Sequence, residues 1–194
     1  MPLNRRRLLR DATVAGVGSL LSAAPPQPVV CRVTDRESGQ GVPARIRLLG
    51  VGGKEVVPLG HRGALADDAQ EGDVLFQSRR FSYVSGEFQI DPAWLPLKYQ
   101  VLKGYEYGIV EGELTAAQAR DGVFTIGFDR WSSLSQQGWY SGDIHIHHIS
   151  PKTCRLEMDA EDLDVANILT SDFTQDQSEF EGRVNAASSG KRLI

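Results

Sequence analysis

Gly138-Trp139-Tyr140-Ser141-Gly142-Asp143-Ile144-His145-Ile146-His147-His148 gathers three of the chain's four histidines beside an aspartate. Side chains of a β-strand alternate between its faces, so residues two apart share a side. Read as a strand, the stretch places Asp143, His145 and His147 on one face and Ile144 and Ile146 on the other. The first face carries imidazole and carboxylate groups, which suit zinc, manganese or iron. The second is apolar and is expected to join a core. His148 falls on the opposite side from the other two histidines and reads as a rim residue.

Around this stretch the chain changes character twice. From Val29 onward it shows short β-like segments: Val29–Thr34, Ala44–Leu49, Phe81–Val84, Phe88–Ile90, Tyr99–Lys103, Tyr105–Glu113 and Val123–Phe128. Turn-rich punctuation separates them, including Gly39, Gly41, Gly86, Pro92, Pro96, Gly104 and Gly122. Many short strands with Gly/Pro turns predict a mainly β fold, a β-sandwich over residues 29–130. Beyond Trp131, Asp159-Ala160-Glu161-Asp162-Leu163 predicts a helix N-cap with acids in its first turn, Glu161 and Asp162 lying on a solvated face. Val165–Thr170 is an apolar run that predicts a buried strand, so strand, helix, strand opens a β/α unit over 138–194.

The first 24 residues form a separate segment. Asn4-Arg5-Arg6-Arg7-Leu8-Leu9-Arg10 is a twin-arginine pattern, followed by a mildly apolar stretch from Ala12 to Ala24. Basic start, weak apolar centre and small residues at the end predict an export signal over 1–24, and hence a periplasmic or secreted protein. Pro25, Pro26 and Pro28 make 25–28 a stiff linker. Loss of the leader removes four arginines and Asp11, leaving 17 basic and 24 acidic residues, a net charge of −7. That balance argues against nucleic acid as a partner. No apolar run reaches the roughly 18 residues of a membrane span.

Of the two cysteines, Cys31 sits in an apolar run and reads as a small buried hydrophobe; no disulfide is assigned. His61 lies in a Gly-rich loop without an acid or thiol near it in sequence and reads as an ordinary loop residue. Trp139 and Tyr140 either pack at a domain seam or wall a substrate pocket, and packing is the expectation. The chain has no Gly-rich phosphate loop, nucleophile elbow or Cys-x-x-Cys pair.

Several segments together carry a resemblance. Gly41–Leu48, then Gly86-Glu87-Phe88-Gln89-Ile90 and Lys98-Tyr99-Gln100-Val101, resemble a carboxypeptidase-regulatory-like, transthyretin-like sandwich. Gly138–His147 and Ala160-Glu161-Asp162-Leu163-Asp164-Val165-Ala166-Asn167 resemble the start of the polymerase-and-histidinol-phosphatase (PHP) superfamily, and within it the CehA/McbA family. The resemblance implies an exported metal-dependent hydrolase of ester, carbamate or phosphoester bonds in a small-molecule substrate. His145 and His147 would be metal ligands, and Asp143 a ligand or the orienting partner of one.

The likeness is incomplete. The superfamily's T-D-H after the second strand is here Thr170-Ser171-Asp172-Phe173, and no histidine follows His148. The 56 residues from Trp139 to Ile194 fall short of the roughly 200 that a full (β/α) barrel needs. The chain therefore reads as the front end of such a hydrolase with an incomplete barrel, expected to be inactive alone and with no catalytic residue assigned. The alternative is a non-catalytic β-sandwich binding module carrying a relic metal strand.

Overall fold

A computed structural model describes residues 26–61, 72–147, 149–169 and 183–194. The predicted leader, His148 and Thr170–Phe173 lie outside the described residues. The chain is mainly β, with one α-helix among the described residues.

Strands β1 (Val29–Asp35), β2 (Ala44–Leu49), β3 (Glu55–Val56), β4 (Asp73–Phe76), β5 (Arg79–Val84), β6 (Glu87–Ile90), β7 (Leu97–Leu102), β8 (Val110–Leu114) and β9 (Val123–Phe128) form two sheets. One has the order β6-β1-β9, with β1 antiparallel to β6 and parallel to β9. The other has the order β4-β5-β2-β7-β8, with β3 added along β2. Alternation along the strands explains why the sheets face each other. Val29, Cys31 and Val33 of β1, Ala44, Ile46 and Leu48 of β2, and Ile126 and Phe128 of β9 all turn into one shared core. Their polar neighbours, such as Arg32, Arg45 and Arg47, turn away from it. Cys31 is buried there as a free thiol, pushed up to about 12 by burial.

Two elements differ from the sequence reading in this body. Asp73–Phe76 is a strand where no strand is expected, recruited by β5 through the pairs Asp73↔Ser82 and Val74↔Phe81. The segment before Val110 is irregular, and only Val110–Leu114 joins the sheet.

A second unit follows. Strand β10 (Gly142–Ile146), helix α1 (Pro151–Ala160) and strand β11 (Val165–Ile168) make a strand–helix–strand unit with parallel strands. Cys154, Met158 and Ala166 form its small core with Ile146, Ile149, Leu163 and Ile168. The helix starts earlier than its acids suggest. Ser150 is the N-cap, its hydroxyl accepting from the Thr153 N–H, and Pro151 occupies the first turn. Asp159, Glu161 and Asp162 therefore lie at the C-terminal end, where cations from elsewhere hold them.

Those cations define the seam between the units. Arg45 on β2 stands 3.0 Å from Glu161, and the Tyr83 hydroxyl on β5 donates to the same carboxylate at 3.0 Å. Arg130 binds both Glu106 and Asp162. Within the second unit, Arg192 backs these contacts by reaching Asp159, Asp162 and Asp164. Glu161 and Asp162 are thus half-buried ion-pair partners, where a solvated helix face is expected. Burial alone raises the Asp162 carboxyl, but Arg192 and Arg130 outweigh it and hold the group below the usual carboxylate range.

Candidate metal centre

Strand β10 is held along one edge by β11 and the residues flanking it. The backbone N–H groups of Asp164 and Val165 donate to Ser141 O at 2.9 and 3.1 Å. The Asn167 side-chain amide donates to Ile144 O, and Leu169 N–H to Ile146 O. Gly142 permits the close approach, because a Cβ there would lie 3.1 Å from Val165 O. The pairing of β10 with β11 slips between Asp143 and Ile146, so the strand is not the regular one that strict alternation assumes.

Two of the predicted residues nevertheless meet. The Nε2 atoms of His145 and His147 are 3.1 Å apart, their rings 4.8 Å apart and inclined at 71°. Two nitrogens bound at about 2.0–2.1 Å around one tetrahedral ion would lie about 3.3 Å apart, so this pair fits two ligands of one metal. Asp143 behaves differently. It is exposed, and its carboxylate accepts the backbone N–H of His145 at 3.0 Å. Among the described residues no three His, Cys, Asp or Glu side chains assemble as a metal-holding set. A catalytic zinc normally has three protein ligands.

The apolar side of the stretch departs from expectation. Ile146 packs in the small core, but Ile144 is 78 % exposed. Trp139 and Tyr140, expected to pack at a seam, also stand exposed beside β10. In β11 only Ala166 is fully buried, and Val165 is partly open, where a continuous buried run is expected.

Sequence reasoning passed over one cluster altogether. His61, read as an ordinary loop residue, has its Nδ1 2.9 Å from the buried Asp73 carboxylate, which also accepts from the Ser82 hydroxyl at 2.6 Å. The Asp73↔Ser82 pairing creates the cluster, and only strand register could have revealed it.

No protein-family model matches the chain, and neither the curated proteins nor the solved structures contain a significant match to it.

Proposed function

We propose that the chain is the N-terminal part of an exported metal-dependent hydrolase of the CehA/McbA type within the PHP superfamily. On this reading, residues 29–130 are its transthyretin-like sandwich and 138–194 the opening of its barrel. The single observation that supports it best is the convergence of His145 and His147 on one point of β10, at the spacing of two ligands of a common ion. A parallel strand–helix–strand unit around that pair suits the first elements of such a barrel.

A divalent ion held by His145 and His147 would supply a water acidified to about pKa 7 as nucleophile toward ester, carbamate or phosphoester bonds. The chain's own part is to hold the two imidazoles. Asp143 fixes the local backbone through the His145 N–H rather than reaching the imidazole nitrogens. The alternative, a β-sandwich binding module with a relic metal strand, is favoured by the ligand count: two imidazoles are short of a catalytic set. Inactivity of the isolated chain follows from either reading.

Metal binding separates these readings from none at all. Native mass spectrometry and calorimetry with zinc or manganese should find one weakly bound ion per chain. The double variant His145→Ala/His147→Ala should lose it. Equal occupancy in wild type and double variant would sink the assignment. Hydrolysis of p-nitrophenyl acetate or bis(p-nitrophenyl) phosphate by the chain would exclude the relic, whereas ion binding without hydrolysis agrees with either reading.

A further inference from the structure

His61, Asp73 and a cavity between the β body and α1 form a second site, independent of the metal strand. Asp73 lies in β4, pairs with Ser82 across β5 and is 6 % exposed. Its carboxylate accepts from Ser82 and faces His61 Nδ1 at 2.9 Å. An ionised carboxylate can only accept, so in the neutral ring the tautomer that satisfies Asp73 carries its proton on Nδ1 and leaves Nε2 as an acceptor. A carboxylate fixing one ring nitrogen so that the other can act is the arrangement of many binding and proton-accepting histidines.

That imidazole lines a cavity of about 280 Å³ shared with Ser85, Glu87, Lys152 and Thr153. The charges are unevenly matched. Glu87 is engaged by Arg32 at 3.1 Å, whereas Lys152 has no ion pair among the described residues. Among its described lining residues the cavity thus offers the Lys152 ammonium and the His61 acceptor.

We propose that this cavity binds a small oxyanion that also carries a hydroxyl, a phosphate or a hydroxycarboxylate. Lys152 takes the negative charge, and His61 Nε2 accepts the hydroxyl proton. A site built to pair a ligand hydroxyl discriminates against the analogue that lacks it, because the acceptor is then left unpaired. Acetate, with charge but no hydroxyl at neutral pH, is therefore the poor ligand.

The test is a ¹⁵N-histidine NMR titration of the full chain with inorganic phosphate, lactate and acetate. Without ligand, His61 should show a protonated Nδ1 and a bare Nε2. Phosphate or lactate should shift Nε2 saturably and bind at least about fivefold tighter than acetate, an effect of one hydrogen bond. Whichever binds tighter identifies the headgroup. Lys152→Ala, at an exposed position, should weaken all three by about tenfold, as removal of a charged partner does. His61→Gln should abolish the preference over acetate. No saturable Nε2 shift, equal binding of acetate, or an unchanged Lys152→Ala would each overturn the proposal. The wild-type titration and Lys152→Ala decide the matter even if His61→Gln does not fold.

Discussion

Gly104 lies where the β body meets the second unit. Its φ is +53°, and a Cβ there would overlap the Glu161 carbonyl and lie 2.9 Å from the Asp162 Cβ. Both neighbours belong to a turn pinned by Arg45, Arg130 and Arg192, so neither can yield cheaply. Gly52 has a similar φ of +70°, but open space around it. The comparison isolates the clash from the backbone strain. Gly104→Ala should destabilise the chain by about 3 kcal/mol and Gly52→Ala by about 1 kcal/mol in urea unfolding, since strain alone accounts for roughly the smaller figure. Equal losses would mean that the seam adapts.

Helix α1 carries the clearest pH signature. Glu157 faces the β body, and its carboxyl is pushed up to about 7, first by burial and then by the charge of Glu161, with Arg45 opposing. Its folded value is above the ordinary 4.5, so between those values the native state keeps a proton that the unfolded chain has released. Its contribution to stability is therefore intact below pH 4.5 and is lost as the pH rises through 7. Glu157→Gln should match wild type near pH 4.5 and melt several degrees higher at pH 8, since a shift from 4.5 to about 7 corresponds to roughly 3 kcal/mol. A gap that does not change with pH would refute the assignment. The element also shows where sequence reading works and fails. Arg45-Ile46-Arg47-Leu48 is legible because alternation is a local signal, and β2 spans Ala44–Leu49 as expected. For α1 the local signal was also present in Ser150-Pro151, but the acids after Asp159 imitate a first turn. Asp159 has one local partner, Arg155 a turn earlier, but Glu161 and Asp162 are held by Arg45, Arg130 and Arg192, remote cations that no window of sequence contains. The candidate site divides along the same line. The pairing of His145 with His147 follows from spacing, whereas the slip that leaves Ile144 outside, and the His61–Asp73 contact, follow from register.

At the scale of the molecule, two cores of unequal size are joined by a mostly ionic seam. The larger core draws on both sheets of the β body, and the smaller is little more than Cys154, Met158 and Ala166. Between them Lys103 is nearly enclosed, at 5 % exposure. Its ammonium donates to Pro43 O at 3.1 Å and to Asp159 O at 2.7 Å, one acceptor in each unit. Burial pulls its pKa down to about 8. The result is an amine that is chemically ready but sterically hidden. An acylating reagent at pH 8 finds a large share of Lys103 already unprotonated, so only the separation of the two units limits its reaction. Peptide mapping after timed acetylation should show Lys54 and Lys98, both exposed, modified promptly and Lys103 late, with Gly104→Ala advancing Lys103 alone. If Lys103 kept pace with the exposed lysines, the seam would be open in solution. Otherwise this one side chain is a clock that ticks each time the two halves of the protein part.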